Sequence, residues 1–263
     1  MRNLIRRAAS ITAASLIALT AVTGAMAAEQ ITFSDVPETH WAYKYISTAA
    51  ENGWVTGYGN NLFGPEDQVS YAELSTMLIR AFFPEALDNV EVTDDDAWYT
   101  AACTAAENLD LYVGVDIRTQ HKNALLIEQS VSRYEMAQIL YNTMRAAGAA
   151  VAPDLNTAQA STADWATIPT RYQAAVAATK EAGVITGIDD AGTFSGELYM
   201  SRAEAATIMT RMEMAMMNQA TVDQNTPDAQ GSTPSETDNE AESPIIPEGV
   251  EITTLPENVL IVS

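Results

Sequence analysis

Three segments of the chain repeat one short pattern, and this repetition constrains the fold more than any other feature. The segments are Val-Ser-Tyr-Ala-Glu at 69–73, Val-Ser-Arg-Tyr-Glu at 131–135 and Met-Ser-Arg-Ala-Glu at 200–204. Apolar residues follow each segment at the i, i+3, i+4, i+7 spacing of an amphipathic helix. The serine and the glutamate form a capping box, in which each side chain accepts a hydrogen bond from the other's backbone N–H. Three capped helices are therefore predicted to begin at these segments.

A second pattern lies upstream of each capping box and predicts a shorter helix followed by a glycine-bearing loop. This helix ends at Gly53 in the first copy and at Gly183 in the third, while the second copy carries a degraded version between Trp98 and Gly114. Glycine ends helices because it adopts a left-handed backbone conformation without strain. Each unit is thus a helix, a loop and a capped helix. Such a unit cannot bury its apolar face alone, so three units are expected to share one all-α core, and they span 31–87, 88–148 and 160–217.

The first 27 residues read as a signal peptide. Arg2, Arg6 and Arg7 form a basic start, and an apolar stretch over 11–22 leads to the small residues of a cleavage site at 25–27. An uncleaved anchor helix is the alternative. No later segment is long and apolar enough to suggest a membrane span. We therefore expect a secreted protein.

Residues 218–263 differ in composition from the repeats. Between 218 and 243 nearly all residues are polar or acidic, which predicts a disordered linker. The final stretch contains strand-like fragments such as 259–262, but it is too short to form a domain. A disordered acidic C-terminal tail is therefore expected, to which a protein partner could bind.

The charge of the chain excludes several classes of partner. It contains 13 basic and 35 acidic residues, and its formal net charge is −22 at pH 7. Such a surface repels nucleic acid and anionic lipid headgroups, so neither is expected to bind. An anionic ligand would have to be held by a local cluster of hydrogen-bond donors, because the global field opposes it.

No pattern in the sequence predicts a metal site or a cofactor. His40 and His121 have no partner at metal-ligand spacing, and the run 94–96 of three aspartates lacks the spaced ligands of a calcium loop. That run is more simply a solvated helix cap. The lone Cys103 lies among small residues and is expected to be a buried small hydrophobe.

The combined pattern resembles the S-layer homology (SLH) domain. The first copy shows it best, with Phe-x-Asp-Val at 33–36, His-Trp-Ala at 40–42, Gly-x-Val-x-Gly-Tyr at 53–58 and the capping segment at 69–73. The resemblance implies a pseudo-threefold, three-pronged all-α module whose capped helices form a central bundle. It also implies non-covalent binding to a wall glycan. That glycan is an anionic, often pyruvylated secondary wall polysaccharide in some lineages and peptidoglycan in others.

The resemblance further implies which residues would bind the glycan. Family sites lie in grooves between prongs and use the motif arginine, an aspartate and an aromatic residue at the start of the first helix, and the loop glycines. The corresponding residues here are the arginines Arg133 and Arg202, the aspartates Asp35, Asp95 and Asp164, the aromatics Trp41, Trp98 and Tyr172, and the glycines Gly57, Gly114 and Gly187. Tyr71 stands where the arginine of the first copy belongs, so the groove that uses this position is expected to be weak.

The two arginines also stand out on physical grounds. The helix macrodipole disfavours a cation at the first position of a helix by about 0.3–1 kcal/mol. A guanidinium beside free helix N–H groups would make an anion trap; the alternative is a salt bridge to a neighbouring acid. If Arg133 and Arg202 bind ligand, alanine at either position is expected to weaken binding with little loss of thermal stability.

The aromatic and glycine positions leave alternatives open. Trp41 and Trp98 could stack on sugar rings, or they could anchor the core. Gly57 and Gly187 are expected to serve first as loop residues with positive φ and second as ligand contacts.

The leading functional hypothesis is a wall anchor that holds a polysaccharide or peptidoglycan. A structural or bridging surface protein, which recruits a partner through its acidic tail or C-terminus, is the alternative. An enzyme such as a glycoside hydrolase is disfavoured, because catalysis needs a carboxyl group of raised pKa in a cleft and the chain shows no additional catalytic domain.

Overall fold

The computed structural model describes residues 31–117, 124–149 and 152–225, and within these ranges the chain is helical. The predicted signal peptide and most of the predicted acidic tail lie outside the described residues. The α-helices are α1 (Tyr43–Glu51), α2 (Tyr71–Phe82), α3 (Thr100–Asn108), α4 (Ala124–Ile127), α5 (Arg133–Ala146), α6 (Leu155–Ala160), α7 (Thr170–Glu181) and α8 (Arg202–Asn225). Short 3-10 helices cover Pro84–Asn89 and Trp165–Thr167. Only isolated β-bridges occur in the described part of the chain, so the all-α prediction is confirmed.

The capping boxes predicted for the three long helices are all present. The Ser70 hydroxyl accepts from the Glu73 N–H at 3.2 Å, and a Glu73 carboxylate oxygen accepts from the Ser70 N–H at 2.9 Å. The same reciprocal bonds start α5, at Ser132 and Glu135, and α8, at Ser201 and Glu204. These contacts reach only three residues along the chain, which is why the sequence alone predicts them.

A ring of backbone hydrogen bonds joins the three copies just before these helices. The N–H of Val69 donates to the carbonyl of Met200 at 2.9 Å, that of Met200 to Val131 at 3.2 Å, and that of Val131 to Val69 at 3.0 Å. All three residues are buried. Each copy therefore donates to one neighbour and accepts from the other, which is the pseudo-threefold arrangement that the family resemblance implied.

The helices pair between copies. α2 packs against α3, α5 against α7, and α8 against α1, so each capped helix lies against the first helix of another copy. The three capped helices carry fully buried apolar residues, among them Leu74, Leu78, Met136, Leu140, Ala205 and Met209. Because each capped helix packs against a helix of another copy, one unit cannot bury its own apolar face.

The three first helices end in the same way, although only two of them end on glycine. Gly53 and Gly183 have φ values of 73° and 67°, and Asp110 holds the corresponding place in the second copy with φ of 60°. Aspartate tolerates this conformation better than most residues, so the second copy keeps the turn after losing the glycine. Cys103 of α3 is fully buried, as predicted.

Among the helices that the structure describes, none is both long and apolar enough to cross a membrane.

Candidate glycan-binding grooves

Two surface grooves lie at corresponding places in the pseudo-threefold fold. The Arg202 groove, with a volume of about 200 Å³, is formed by the loop of the first copy, α2, Trp98 of the second copy and Arg202 of the third. The Arg133 groove, of about 280 Å³, is formed by the loop of the third copy, α8, Trp41 and Arg133. Six lining residues of the Arg202 groove have a counterpart at the same place in the Arg133 groove. In that order, the pairs are Thr56 and Thr186, Gly57 and Gly187, Tyr58 and Ile188, Glu73 and Glu204, Thr76 and Thr207, and Arg80 and Arg211.

Arg202 forms the floor of its groove and is only 3% exposed. Its Nε donates to the Phe63 carbonyl and its Nη2 to the Thr56 carbonyl, both at 2.9 Å. Its Nη1 pairs with the carboxylate of Glu73. The guanidinium carbon also lies 4.2 Å from the ring centroid of Tyr58. The salt bridge considered as an alternative for this arginine is thus present, in addition to its place in the groove.

Arg133 repeats the carbonyl contacts but not the ion pair. It is 5% exposed, and it donates from Nε to the Phe194 carbonyl at 2.8 Å and from Nη2 to the Thr186 carbonyl at 2.9 Å. Its Nη1 lies 3.4 Å from the sulfur of Met200, which is a weak acceptor. Burial lowers the pKa of Arg133, against the opposing effect of Glu204. Within the described residues no carboxylate forms an ion pair with this guanidinium.

The idea of an anion trap built from free helix N–H groups is wrong. The N–H of Arg202 donates to the Asp67 carbonyl, and that of Ala203 to the Pro65 carbonyl. In the same way, Arg133 and Tyr134 donate to carbonyls of the third copy, and the serine caps take the next N–H of each helix. The grooves therefore offer a ligand side chains rather than free N–H groups at the helix N-termini.

The two well-matched aspartates order the loops that hold the arginines. The Asp35 carboxylate accepts from the N–H groups of Phe63 and Gly64, at 2.9 and 2.7 Å. Asp164 accepts from Phe194 and Ser195, at 2.7 and 2.8 Å. Burial alone would raise the pKa of Asp35, but these backbone hydrogen bonds outweigh it and hold the pKa below its ordinary value. Both carboxylates thus hold the phenylalanines whose carbonyls accept from the arginines, and neither carboxylate lines a groove.

Asp95, the third predicted aspartate, is exposed. Its neighbour Asp96 accepts from the N–H of Thr93 at 2.7 Å, which is the local cap expected for this acidic run. The loop of the second copy that would correspond to Phe63 and Gly64 lies partly outside the described residues.

The aromatic predictions divide into two exposed residues and one buried residue. Trp41 is 58% exposed and Trp98 is 64% exposed, so neither anchors the core, and each lines a groove. Tyr172 is only 4% exposed, and its ring stacks on Tyr134 with centroids 5.3 Å apart. A sugar-stacking face is therefore not available at Tyr172.

The register of the first helices explains this difference. In the first two copies the tryptophan lies 12 positions before the positive-φ residue that ends the first helix, Gly53 for Trp41 and Asp110 for Trp98. In the third copy that residue is Gly183, and Arg171 lies 12 positions before it. Arg171 lies over the ring of Tyr172 at 4.7 Å and 3.9 Å from Asp116. Counting back from the helix end would have identified Arg171, whereas residue type alone pointed to Tyr172.

The groove glycines are required for space rather than for a left-handed backbone. Gly57 and Gly187 are not among the residues with positive φ, which corrects the sequence prediction. A Cβ on Gly57 would lie 2.4 Å from the Leu62 carbonyl oxygen, and one on Gly187 would lie 2.6 Å from the Gly192 Cα. Gly114 differs, since its φ is 84°. Any side chain at 57 or 187 would push the groove loop outward.

The corresponding place beside the loop of the second copy, which we call the third groove, has Tyr71 instead of the arginine, and other contacts replace those of the guanidinium. The hydroxyl of Tyr71 donates to Glu135, where arginine pairs with glutamate in the Arg202 groove. The loop carbonyl of Val113, which corresponds to that of Thr56, accepts instead from the Asn142 amide at 2.8 Å. Arg171 stands at the rim in place of a tryptophan. That this groove binds weakly stays a prediction.

Sequence reasoning missed the lining that α2 and α8 contribute. Glu73, Thr76 and Arg80 lie at i, i+3 and i+7 on one face of α2, and three corresponding residues lie on α8. The helical period could have revealed them, because the glutamate of each capping box starts the series. Each groove is consequently lined by two arginines and one glutamate, in a chain whose net charge is −22.

The described residues contain no group of three His, Cys, Asp or Glu side chains placed to hold a metal ion.

Comparison with known proteins identifies two segments of the chain. The family model of the S-layer homology domain matches residues 32–75 and 161–206, which fall in the first and third copies. These segments carry Asp35, Trp41, Gly57, Asp164, Gly187 and Arg202.

Three curated proteins show local similarity. A "Cell surface protein" of Thermoanaerobacter kivui is 30% identical over 89 residues, which is 34% of this chain and 10% of that protein. A "Surface layer protein" of Brevibacillus choshinensis is 26% identical over 116 residues, or 43% and 10% of the two chains. A "Middle cell wall protein" of Brevibacillus brevis is 38% identical over 50 residues, or 19% and 5%. The matches thus span a tenth or less of these relatives.

Proposed function

We propose that this chain, which contains two S-layer homology domains, attaches non-covalently to the cell wall by holding a wall glycan in the Arg133 and Arg202 grooves. The observation that carries the proposal is the correspondence of the two grooves. Each combines a buried arginine, an exposed tryptophan from a neighbouring copy, a close-packed glycine and a second arginine at one end.

These side chains suit a sugar that carries a negative charge. The exposed face of a tryptophan can stack on the apolar face of a pyranose ring, and the threonines and loop peptide groups offer hydrogen bonds to hydroxyl groups. The paired arginines supply the local positive charge that an acidic protein needs to hold an anion. An anionic secondary wall polysaccharide therefore fits this chemistry better than an uncharged glycan does.

The relatives support a location at the cell surface. Their names refer to the cell surface, the surface layer and the cell wall. We therefore place the chain outside the cytoplasm, where the predicted signal peptide would deliver it.

Co-sedimentation with purified cell walls tests the proposal. The protein should sediment with walls and should lose most of this binding after chemical extraction of the secondary polysaccharide. Binding that survives extraction would point to peptidoglycan as the ligand. A protein that stays in solution with both preparations would refute wall attachment.

Substitution of the exposed tryptophans tests the grooves themselves. Trp41→Ala and Trp98→Ala should each weaken wall binding. Leu155→Ala serves as the control, because Leu155 is an exposed apolar residue that lines none of the grooves described here. Equal binding by the double tryptophan variant and the unsubstituted protein would refute the assignment of both grooves.

A further inference from the structure

A phenylalanine ring lies against the guanidinium of each buried arginine. The guanidinium carbon of Arg202 lies 4.7 Å from the ring centroid of Phe63, and Phe33 of the same copy packs on that ring with centroids 5.2 Å apart. The guanidinium carbon of Arg133 lies 5.0 Å from the ring centroid of Phe194. Each arginine thus packs on the ring of the residue whose carbonyl it also binds.

The third copy has no counterpart of Phe33. Asp35 and Asp164 hold equivalent loops, and the residue two positions before each is Phe33 in the first copy but Thr162 in the third. A threonine offers Phe194 no ring to pack against. An aromatic partner for Phe194 must therefore come from another part of the fold.

Tyr134 of the second copy supplies that ring. Its centroid lies 5.8 Å from that of Phe194, at an interplanar angle of 23°. The corresponding position is alanine in both other copies, at Ala72 and Ala203. Gly196 leaves the space for the larger side chain, since a Cβ at this glycine would lie 2.0 Å from the tyrosine ring. The tyrosine and the glycine that accommodates it therefore occur beside the loop in which the first phenylalanine is replaced.

Tyr134 belongs to a longer stack of rings. Tyr172 stacks on Tyr134 with centroids 5.3 Å apart and an interplanar angle of 6°, and Arg171 lies over Tyr172 at 4.7 Å. The stack thus runs from Arg171 through three rings to Arg133. Tyr134 is 5% exposed and does not line the Arg133 groove. Its ring reaches the arginine of that groove through Phe194.

We propose that Tyr134 is a positioning residue for the Arg133 groove, because its ring holds Phe194 and thereby fixes the guanidinium of Arg133. This inference rests on the proposed function and names a residue on which one of its two sites depends. Arg133 contacts both the carbonyl and the ring of Phe194, so a rotation of Phe194 would disturb both contacts. A binding side chain is effective only where packing around it holds one conformation, and stacked aromatic rings provide such packing.

Hydrogen exchange at the two guanidinium groups tests the positioning without a ligand. Each Nε–H donates to a phenylalanine carbonyl, so in ¹⁵N-labelled protein both should exchange slowly with water. Tyr134→Ala should speed exchange at Arg133 Nε by about tenfold or more, and should change exchange at Arg202 Nε by less than about twofold. Arg202 is thus the internal control for a general loss of stability.

Two further variants separate the ring from the other properties of the tyrosine. Tyr134→Phe keeps the ring and should leave exchange at both arginines within about twofold of the unsubstituted protein. Tyr134→Leu fills part of the space without a stacking ring, so it should speed exchange at Arg133 Nε, and it carries the test if the alanine variant does not fold.

Three outcomes of the exchange experiment would overturn the inference. The first is unchanged exchange at Arg133 Nε in a folded alanine or leucine variant. The second is an equal acceleration at Arg133 and Arg202, which would indicate a general opening of the fold. The third is a phenylalanine variant that behaves like the alanine variant, because the hydroxyl group rather than the ring would then be responsible.

Wall co-sedimentation tests the consequence for binding. Trp98→Ala leaves the lining of the Arg133 groove intact, and Trp41→Ala leaves that of the Arg202 groove intact. Adding Tyr134→Ala should weaken wall binding at least about fivefold in the Trp98→Ala protein and less than about twofold in the Trp41→Ala protein. Equal losses in the two backgrounds would refute a role confined to one groove.

The two measurements distinguish this inference from the proposed function. A protein that does not bind walls, but in which Tyr134→Ala speeds exchange at Arg133 Nε alone, would refute the anchor and support the positioning role. Wall binding that Tyr134→Ala leaves unchanged in the Trp98→Ala protein would refute the positioning role and leave the anchor intact.

Discussion

The Nε atom of Arg202 donates to the carbonyl oxygen of Phe63 at 2.9 Å, although 139 residues separate the two along the chain. The corresponding bond joins Arg133 to Phe194 over 61 residues. In both cases the first residue of a capped helix fastens the loop of another copy. The arginine that forms a groove floor is therefore also part of the interface between copies.

This double role predicts that alanine at Arg133 or Arg202 unfolds the protein more easily. Each substitution leaves two loop carbonyls without their donor and opens space in a buried region, so the free energy of unfolding should fall by about 2–4 kcal/mol. Urea unfolding followed by circular dichroism measures this change. The sequence alone predicted that such variants would lose binding with little loss of stability. Because both arginines are buried, we now expect a larger loss of stability.

Arg80→Ala is the matched control for that experiment. Arg80 lines the same groove as Arg202 but is exposed and forms no ion pair among the described residues. Its removal should change the free energy of unfolding by less than about 0.5 kcal/mol. Equal and small effects of Arg80→Ala and Arg202→Ala would contradict a structural role for the buried arginine.

The exposed tryptophans, unlike the buried arginines, should contribute little to stability. Trp41→Ala and Trp98→Ala remove side chains that are more than half exposed, so unfolding should change by less than about 0.5 kcal/mol. Wall binding should fall at least about fivefold for each, as is usual for an aromatic residue at the centre of an interface. Tyr172→Ala should instead destabilise the fold by about 3–5 kcal/mol, because its ring is buried against Tyr134.

The contrast between these residues shows what the sequence can predict. The capping boxes depend on contacts three residues apart, so the pattern of serine and glutamate was sufficient to predict where the three capped helices begin. The partners of Arg133 and Arg202 lie in other copies, and no local pattern distinguishes a guanidinium that binds carbonyls from one that awaits a ligand. Only the fold brings Phe63 and Phe194 to them.

The loop of the second copy illustrates a further limit. The loss of the arginine that would bind this loop was evident at Tyr71 of the first copy. The compensation by Asn142 was not evident, because the Asn142 amide reaches carbonyls 29 and 31 residues away. Gly57 and Gly187 were recognised as loop residues, yet the reason for glycine was a close approach of backbone that only the folded loop reveals.

Tyr134 of the second copy packs against Gly196 of the third, a contact that has no counterpart in the other copies. Tyr134 follows Arg133 where the other copies have Ala72 and Ala203, and a Cβ on Gly196 would lie 2.0 Å from the Tyr134 ring. Gly196→Ala should therefore destabilise the protein by about 1–3 kcal/mol through overpacking. Thermal or urea unfolding measures the change.

A double-mutant cycle tests the cause of that loss. Tyr134→Ala removes the ring, so adding Gly196→Ala to this variant should cost much less than it does in the unsubstituted protein. Additive effects would show that Gly196 is needed for its backbone conformation rather than for the space that the tyrosine occupies.

Asp35 should make stability depend on pH in a defined direction. Burial would raise the pKa of this carboxyl group, but the hydrogen bonds from the Phe63 and Gly64 N–H groups outweigh it, so the folded-state pKa lies below the ordinary value of 3.8. The unfolded chain then binds the proton more readily. The stabilisation from Asp35 is complete above the unfolded pKa and is lost as pH falls through the lower, folded-state pKa.

Asp35→Asn should accordingly lower the free energy of unfolding near neutral pH by about 0.5–1.5 kcal/mol, because the amide accepts these hydrogen bonds more weakly than a carboxylate does. The difference from the unsubstituted protein should shrink as acid protonates Asp35. Urea unfolding at a series of values between about pH 7 and about pH 2 measures it, and Glu38→Gln is the control because Glu38 is an exposed carboxylate of the same segment. A difference that stays constant down to the lowest pH would mean that the charge of Asp35 does not hold the loop beneath Arg202.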